Sequence, residues 1–416
     1  MNQTSLLEPA RSLPVTDAFD VVVVGGGIAG VAAALAAARS GVSTLLVERF
    51  CAFGGLATIG NVTIYLPICD GCGTQVLGGI AEELLRVSVQ SLKKEIPEAL
   101  FTGIPEAWQR ADATREERSK HRFQVGFNPD AMILDYERLL LENGVSILYD
   151  TRFCSVARDN GGISHVILEN KSGRFAVACK SVVDASGDAD VCFQAGEKTE
   201  SLDSNVASGW YYTLENGSRL RIHCLSNRFT ENASRDGAEP PFFRGDDGRE
   251  VTAQILASRQ LLRNNLEKIR AENPDADLQP MHITTFPCFR MTRRLVGAFS
   301  IGEADNHRWF DDAVCLANDW RRAGPVWSVP YRALHGVANN NLLVCGRCIS
   351  VDTTAWDALR VIPVCAVTGE AVGVAAALSV KSGIPAANVP AREIAEECRK
   401  RGNLLEPELV TAGARK

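Results

Sequence analysis

The sequence predicts an α/β fold in which a parallel sheet packs against helices and a second, mixed α+β lobe is inserted. Three consecutive segments near the N-terminus carry the first part of this prediction. Residues 19–24 form a short, continuous β-branched run, which is typical of a fully buried strand. Residues 28–40 fit a helix that ends before Gly41, and residues 42–48 fit the next strand. A β-α-β unit of this kind begins a parallel sheet.

The second observation is that the alternation of predicted strands and helices is interrupted in the middle of the chain and resumes near its end. Residues 198–290 are rich in Asn, Gly, Asp and Pro turns, with strand-like stretches and one helix near 252–271. A short strand at 341–344 and a small-residue helix near 368–382 then restore the α/β pattern. We therefore expect both ends of the chain to contribute to one sheet, with the other lobe inserted.

Further elements are predicted between these regions. Residues 80–91 fit an amphipathic helix. Asn128 is a good capping residue for a helix that runs to about residue 142. A buried strand follows at 145–149, and residues 152–183 fit a run of strands joined by Gly turns.

Composition and charge exclude several classes of partner. The net charge of −6 comes from 44 basic and 50 acidic residues, without a basic block, so we expect neither nucleic acid nor a membrane as partner. The apolar stretch 21–38 approaches the length of a membrane span, but three consecutive glycines divide it into a strand and a helix. The 13 scattered cysteines and the lack of a secretory signal favour reduced thiols and a cytoplasmic location.

A glycine-rich motif lies where the first strand turns into the first helix. Gly25, Gly27 and Gly30 form GxGxxG around Ile28 and Ala29. The glycines permit a tight turn, a close approach of the backbone to a pyrophosphate, and close packing of helix on strand. Glu48 follows Gly27 by 21 residues and ends the second strand, where its carboxylate could accept hydrogen bonds from ribose hydroxyls. This predicts a Rossmann-type dinucleotide site, without distinguishing FAD from NAD.

Four blocks of sequence make that distinction. They are DVVVVGGGIAGVAAALAAARSGVSTLLVER (20–49), FGGLAT (53–58), VVDASGDADV (182–191) and NLLVCGRCISVDTTAWDALRVIPVCAVTGEAVGVAAAL (341–378). Together they resemble the bacterial FAD-dependent oxidoreductases that have a glutathione-reductase-type FAD fold. Ser186 stands where that family usually has Thr. In the last block, a helix of small residues would present its N-terminal N–H groups to reduced flavin, although tight helix packing alone would also explain its composition.

The resemblance implies FAD as the cofactor and a set of residues that contact it. These are Gly25, Gly27, Ile28, Ala29, Gly30, Glu48, Arg49, Gly54, Gly55, Leu56, Ala57, Thr58, Phe153, Ala185, Ser186, Gly187, Gly346, Arg347, Arg360, Val361 and Ile362.

The interruption and return of the α/β pattern also predict a division of the chain. The FAD-binding domain would comprise residues 18–60, 128–197 and 338–390. Residues 61–127 would form a cap or part of the substrate lobe, 198–337 the substrate-binding lobe, and 1–17 and 391–416 the two tails.

Candidate catalytic or substrate-contacting residues lie between Arg290 and His335. Arg290 and Arg294 belong to an arginine-rich FRMTRR element, and the planar guanidinium suits carboxylate recognition. Tyr331 and His335, in PYRALH, could act as acid or base beside the flavin. Ordinary surface arginines or ion pairs, and a structural Tyr or His, remain the alternatives.

Lower-ranked candidates come from other short patterns. His282 and Arg332 are weaker candidates of the same kind as Tyr331. Cys69 and Cys72 form a C-x-x-C pair, which could be a redox dithiol or half a zinc site, but we interpret them as incidental thiols and predict no metal site.

The predicted function is an FAD-dependent oxidoreductase that exchanges a hydride between a small organic substrate and flavin N5. No second GxGxxG follows a strand between residues 150 and 340, so a separate Rossmann site for NAD(P)H is not expected. A monooxygenase or halogenase is the alternative, and a flavoprotein without redox turnover is a third hypothesis. The electron acceptor stays open, as does the oligomeric state, for which a homo-oligomer is one option.

Overall fold

The computed structural model describes residues 8–90, 92, 101–230 and 232–411. The first part of the predicted N-terminal tail, the last residue of the predicted helix 80–91, and the end of the predicted C-terminal tail lie outside these residues.

A seven-stranded sheet forms the centre of the molecule. Its strands are β1 (Val15–Val24), β2 (Thr44–Val47), β5 (Ser146–Leu148), β6 (Arg152–Asp159), β7 (Gly162–Asn170), β8 (Gly173–Asp184) and β16 (Leu342–Val344). The order is β5-β2-β1-β8-β7-β6, and β16 pairs with the C-terminal half of β8. The strands β5, β2, β1, β8 and β16 are parallel, whereas β6, β7 and β8 form an antiparallel meander. This confirms the predicted α/β fold and shows that the last strand comes from the end of the chain.

The last four residues of strand β1 are buried on both faces, as their composition predicted. Val21 and Val23 belong to one hydrophobic core, and Val22 and Val24 belong to the core on the opposite face of the sheet. The strand begins at Val15, earlier than predicted, because its first residues pair with the start of β8. Part of the predicted tail is therefore a strand.

Two helices of small residues pack against each other on one face of the sheet. They are α1 (Ile28–Arg39) and α9 (Ile362–Ser382), and α9 begins six residues before the predicted helix near 368–382. A Cβ atom on Gly369 would lie 2.2 Å from the carbonyl oxygen of Ala29, so these helices touch backbone to backbone. Among the described residues, α9 is the one helix long and apolar enough to cross a membrane, but 89% of its most apolar window is already buried within the protein. Its composition is thus that of a core helix.

Helix α5 (Pro129–Glu142) packs on α1 and confirms the predicted capping signal. The side-chain oxygen of Asn128 accepts hydrogen bonds from the backbone N–H groups of Asp130, at 3.0 Å, and Ala131, at 3.3 Å. The helix ends at the predicted residue because Asn143 and Gly144 leave the helical conformation.

The inserted lobe consists of a three-stranded antiparallel sheet with one long helix across it. Its elements are β10 (Ser208–Glu215), β11 (Arg219–Ser226), α7 (Gly248–Glu272) and β12 (Leu278–Ile283), in the strand order β11-β10-β12. The hydroxyl of Tyr212 donates to Thr63 Oγ1 at 3.1 Å, and Thr285 N–H donates to the carbonyl of Ile59 at 3.2 Å. These bonds fix the inserted sheet against the loop that follows the second strand of the main sheet.

Two parts of the predicted division differ in the structure. The hairpin of β14 (Ala313–Asn318) and β15 (Val326–Pro330), which was assigned to the substrate lobe, packs against α9 instead. Residues 391–411 are not a tail, because α10 (Ala391–Lys400) buries Ile394 and Cys398 against the core, and α11 (Pro407–Thr411) packs on β15.

The remaining elements are short, apart from one amphipathic helix. They are β3 (Ile64–Tyr65), α2 (Gly79–Val89), α3 (Glu106–Gln109), α4 (Arg115–Ser119), β4 (Val125–Gly126), α6 (Asp190–Gln194), β9 (Thr199–Ser201), β13 (Arg293–Leu295) and α8 (Trp356–Leu359). Helix α2 packs on α9 and α5, so the described residues of the region 61–127 lie beside the main sheet and contribute to its core.

Candidate functional site

The glycine motif forms the turn between β1 and α1. Gly25 has a φ of +105°, and a Cβ atom there would lie 2.5 Å from the carbonyl oxygen of Ala185. A Cβ on Gly30 would lie 1.8 Å from the carbonyl oxygen of Gly25, so this residue allows helix and strand to pack closely. A Cβ on Gly27 would meet nothing within 4 Å. Gly27 therefore leaves open the space in front of the N-terminal N–H groups of α1, where a phosphate can approach.

Glu48 holds the turn in place from the end of β2. Its carboxylate oxygens accept hydrogen bonds from the N–H groups of Gly26, at 2.6 Å, and Phe50, at 2.9 Å. Burial raises the pKa of Glu48, while these two bonds oppose the rise. The carboxylate also lines the cavity described below, so it can both brace the turn and accept bonds from a ligand.

The FGGLAT segment folds back onto the same turn. Gly54 N–H donates to the carbonyl of Gly26 at 2.9 Å, and Gly54 forms a bridge with Gly27. The Thr58 hydroxyl donates to the carbonyl of Phe53 at 2.6 Å and is fully buried. Thr58 therefore shapes this loop and does not face the cavity.

Asp184 and Ser186 build the turn at the end of β8. The buried Asp184 carboxylate accepts hydrogen bonds from Ser186 N–H at 3.0 Å, Ser186 Oγ at 2.6 Å and Cys192 N–H at 2.9 Å. The serine hydroxyl is thus used within the turn, where a threonine hydroxyl could serve equally well. Sequence reasoning did not assign this role to Asp184, although its position after a buried strand was a usable signal.

Arg347 joins three segments around the cavity. Its guanidinium donates to the Gly187 carbonyl at 2.6 Å, the Phe289 carbonyl at 3.0 Å and Asp188 Oδ1 at 2.8 Å. The side chain is mostly buried, and its charge is matched by the carboxylate of Asp188. Arg347 therefore positions the ends of β8 and β16 relative to the 286–290 segment of the inserted lobe.

Helix α9 begins at the same place. Arg360, Ile362 and Cys365 line the cavity, whereas Val361 is the residue before the first turn and does not. The first N–H groups of a helix have no partner within it, and they carry a partial positive charge. An electron-rich group placed here would be stabilised.

These segments enclose one cavity of about 360 Å³. It is lined by all of the predicted cofactor residues except Gly30, Thr58 and Val361, which pack beside it. Its lining residues are Val24, Gly25, Gly27, Ile28, Ala29, Val47, Glu48, Arg49, Gly54, Gly55, Leu56, Ala57, Thr151, Arg152, Phe153, Ala185, Ser186, Gly187, Asp190, Phe286, Cys345, Gly346, Arg347, Arg360, Ile362 and Cys365.

Several lining residues were missed by sequence reasoning. Val24 and Val47 end the parallel strands β1 and β2, whereas Cys345, which follows β16, belongs to the block 341–378 that was expected at the flavin. Ligands of α/β sheets bind at the carboxyl ends of the strands, so the strand predictions contained this signal. Phe286 comes from the inserted lobe, and nothing in the sequence indicated its position. The others are Thr151, Arg152, Asp190 and Cys365.

Tyr331 and His335 are not at the cavity, so the structure does not support them as acid or base. The Tyr331 hydroxyl donates to the carbonyl of Ala386 at 2.5 Å and is buried, which raises its pKa. His335 Nδ1 lies 2.9 Å from the carbonyl oxygen of Gly336. Both side chains have the structural role that the sequence left as the alternative. Arg332 pairs with Asp312 and is likewise absent from the cavity wall.

Two of the three arginines in the FRMTRR element form ion pairs with described carboxylates, and the third does not. Arg294 lies in β13, is buried, and pairs with Glu200 at 2.8 Å, so its position is that of a structural ion pair. Arg293 pairs with Asp190 at 2.6 Å. Arg290 makes no such pair with a described carboxylate; its guanidinium stacks on Phe229 at 3.9 Å.

Other candidates lie away from the cavity. His282 stacks beside Tyr212 in the inserted sheet, with ring centroids 6.4 Å apart. Cys69 is buried and accepts a hydrogen bond from Phe123 N–H at 3.3 Å, and neither it nor Cys72 lines the cavity.

Comparison with known proteins adds local and overall similarities. One component of the ferredoxin:CoB-CoM heterodisulfide reductase of Methanosarcina acetivorans is 36% identical over an alignment of 96 positions, which covers 21% of this chain and 12% of that protein. The thioredoxin reductase of Ureaplasma parvum is 36% identical over an alignment of 73 positions, which covers 18% of this chain and 24% of that protein. The chain thus matches less than a quarter of the length of each of these relatives.

Solved structures resemble the chain over most of its length at low identity. One is a geranylgeranyl bacteriochlorophyll reductase-like protein of Thermoplasma acidophilum, with a TM-score of 0.49 and 14% identity over 96% of this chain and 92% of that one. Another is aklavinone-11 hydroxylase in complex with FAD and aklavinone, with a TM-score of 0.46 and 12% identity over 87% of this chain and 63% of that one.

A family model covers most of the sequence. The model, described as FAD dependent oxidoreductase, matches residues 20–209 and 245–398. The chain therefore belongs to the family of FAD-dependent oxidoreductases, and its cofactor is FAD.

Proposed function

We propose that this enzyme exchanges a hydride between a small organic substrate and N5 of FAD, and that its FAD domain is of the glutathione-reductase type. The observation that carries the proposal is the single cavity in which the glycine turn, Glu48, the end of β8 and the start of α9 converge. The residues implied by the family resemblance come together there, although they are as far apart in sequence as residues 25 and 362.

The glycine turn is suited to hold the pyrophosphate of FAD. Gly27 has no atom in front of it, and the N–H groups that begin α1 point toward the same open space. Glu48 is placed to accept a hydrogen bond from the adenosine ribose, since its carboxylate borders the cavity and uses only part of its accepting capacity on the backbone.

The start of α9 is suited to hold the electron-rich edge of the flavin. Bound FAD supplies the hydride-accepting N5 position. The first N–H groups of α9, together with the Arg360 guanidinium, place positive charge at this end of the cavity. Their contribution is to stabilise the negative charge that reduction adds to the ring, which favours the reduced state.

The substrate is proposed to bind between the main sheet and the inserted sheet. Phe286 supports this location, because it comes from the inserted lobe and lines the cavity, with its ring centroid 5.3 Å from that of Phe50. Thr284 does not line the cavity, but its hydroxyl donates to the carbonyl of Ile59 at 3.2 Å, which ties the 284–286 segment to the FAD domain. The inserted lobe thereby forms one wall of the site and limits the access of water.

The experiment that tests this function is anaerobic reduction. The purified flavoprotein is mixed with a panel of small alcohols, amines, hydroxy acids and unsaturated acids under strict exclusion of oxygen, and flavin absorbance is followed. We expect one class to bleach the flavin, and dioxygen or an artificial acceptor to restore the colour. Turnover that occurs only with oxygen plus an external reductant would favour a monooxygenase or halogenase instead. Flavin that neither substrates nor dithionite can bleach would contradict any redox function.

Other aspects of the proposal follow from charge and composition. We propose a cytoplasmic enzyme with a small-molecule substrate, and neither nucleic acid nor membrane as partner, given the net charge of −6 and the absence of a basic block.

A further inference from the structure

Arg290 differs in its surroundings from the buried arginines near the cavity, whereas the cavity-lining Arg49 and Arg152 are exposed to water. Arg347, Arg293 and Arg294 each pair with one carboxylate, at 2.8, 2.6 and 2.8 Å. The guanidinium of Arg290 instead donates to the neutral hydroxyl of Ser226 at 3.2 Å and stacks on Phe229. Within the described part of the chain, no carboxylate oxygen lies within 4.0 Å of it.

The charged groups that act on the pKa of Arg290 are those of Arg360 and Asp357. Loss of water and the positive charge of Arg360 lower the pKa of Arg290 to about 10, so Arg290 stays charged at neutral pH. Arg360 lines the cavity and pairs with the buried carboxylate of Asp357. The Nε of Arg360 is buried and has no hydrogen-bond partner. Asp357 is thus already paired with Arg360, which leaves the charge of Arg290 unmatched and the Arg360 Nε–H without an acceptor.

The position of this unmatched charge is between the two lobes. Ser226 ends β11 and Phe229 follows it closely, whereas Arg360 lies just before α9. Arg290 lies in the segment whose Phe286 lines the cavity and whose Phe289 carbonyl is held by Arg347. The charge therefore lies beside the flavin end of the cavity, on the side of the inserted lobe.

Arg290 is partly buried, and a charge withdrawn from water without a counter-ion is costly, so such groups are normally paired. A carboxylate fits the planar guanidinium fork in a bidentate manner, with more specificity than a point charge offers.

From this geometry we propose that the substrate is an organic acid whose carboxylate binds Arg290, with Arg360 Nε–H and charge completing the subsite. This inference rests on the proposed function, because the acid occupies the substrate side of the flavin.

The test uses the FAD-loaded enzyme and pairs of probes that differ only in charge. Benzoate and benzamide, and succinate and succinamide, are titrated while the flavin difference spectrum is recorded. We expect the carboxylates to give saturable spectra and the amides to bind at least about ten-fold more weakly, because they lack the charge. The Arg290→Met variant, which keeps an unbranched apolar side chain against Phe229, should lose at least about ten-fold in carboxylate affinity. Arg290→Lys should retain part of it, because the charge is kept and the fork is lost.

Arg228→Gln is the matched control. It lies on the same loop as Phe229, its side chain is exposed, and it removes the same charge. Carboxylate affinity in Arg228→Gln should equal that of the wild type. The proposal is overturned if no carboxylate perturbs the flavin, if amides bind as well as carboxylates, or if Arg290→Met binds carboxylates like the wild type. All of these results concern ligand binding to protein that contains FAD. They can therefore be distinguished from failure of the proposed function, which would appear as a flavin that no substrate bleaches.

Discussion

At the scale of single residues, two glycines of one motif have opposite surroundings. Gly27 faces open space, whereas a Cβ on Gly30 would overlap the carbonyl oxygen of Gly25. The absence of a side chain at Gly27 leaves space for a ligand, and its absence at Gly30 lets helix α1 pack against the turn. Their substitutions should therefore separate cofactor binding from folding.

Gly27→Ala should weaken FAD binding by ten-fold or more while the apoprotein stays folded. Its φ of −66° suits any residue, and loss of glycine at a helix N-cap costs at most about 1 kcal/mol. Gly30→Ala should destabilise the apoprotein itself by about 1–3 kcal/mol or more through overpacking. Urea unfolding of the apoproteins, together with FAD titration by fluorescence quenching, checks both. An apoprotein of Gly27→Ala as unstable as that of Gly30→Ala would contradict this distinction.

The residues at the cavity show which parts of a site can be predicted from sequence. The spacing of Gly25, Gly27 and Glu48 within one β-α-β unit can be recognised directly in the sequence, so these residues could be predicted. Tyr331 was chosen for its chemistry, but its hydroxyl points to Ala386, a contact that depends on how distant elements pack. The direction in which such a side chain points cannot be predicted from the neighbouring sequence.

At the scale of elements, the contact between α1 and α9 positions both walls of the cavity. Gly369 and Gly373 lie one turn apart on α9, and Cβ atoms there would be 2.2 Å and 2.3 Å from carbonyl oxygens of α1. Ala29 of α1 and Ile362 of α9 line the cavity, so a wider separation of the helices would displace both.

Gly369→Ala and Gly373→Ala should each lower the free energy of unfolding by about 1–3 kcal/mol, in spite of the better helix propensity of alanine. Both should also lower FAD affinity. Gly248→Ala is the control, since it opens α7 and a Cβ there meets nothing within 4 Å. Thermal unfolding with and without FAD measures the effect, and equal stability of all three variants would show that the helices do not pack as closely as described.

A buried carboxylate joins α9 to α2. Glu370 is fully buried and accepts a hydrogen bond from Ile80 N–H at 2.8 Å. Burial raises its pKa from 4.5 to about 7. Because the pKa is raised in the folded state, its contribution to stability is complete below about pH 4.5 and is lost as the pH rises through about 7.

The Glu370→Gln variant should therefore gain stability relative to the wild type as the pH increases. The difference should grow by about 3 kcal/mol between about pH 4.5 and 7 and then stay constant. Urea unfolding of both proteins at pH 5 and pH 8 measures it, with Glu393→Gln, an exposed residue of α10, as the control. A difference that does not change with pH would refute the assigned titration.

The elements themselves were predicted unevenly. The helices α1, α5 and α7 lie at or close to their predicted positions, whereas strand β1 begins earlier than predicted. Helix α10 was taken for a tail, although its buried residues Ile394, Ala395 and Cys398 follow a helical spacing. The helical spacing was present in the sequence, but three apolar residues in a short polar segment are weak evidence for a packed helix. The surface that buries them, on β14 and α9, is formed by distant parts of the chain.

At the scale of the whole molecule, the two ends of the chain meet around one cavity. Strand β16 completes the sheet beside β8, and the hairpin β14–β15 packs on α9 although it follows the inserted lobe in sequence. The sequence predicted the strand at 341–344 and its place in the same sheet as the N-terminal unit, and β16 confirms this. The hairpin β14–β15 was not predicted, and its packing on α9 depends on contacts between residues far apart in the chain.

The most direct test of the account is the flavin content of the purified protein. We predict about one FAD per chain, identified by its absorption spectrum and by chromatography after release, with FAD rather than FMN because the glycine turn is positioned for a pyrophosphate. In Gly27→Val, which fills the space in front of that turn, the apoprotein should fold and hold little FAD. A wild-type protein that contains no flavin and gains none when incubated with FAD, or a Gly27→Val variant with full FAD content, would contradict the central claim.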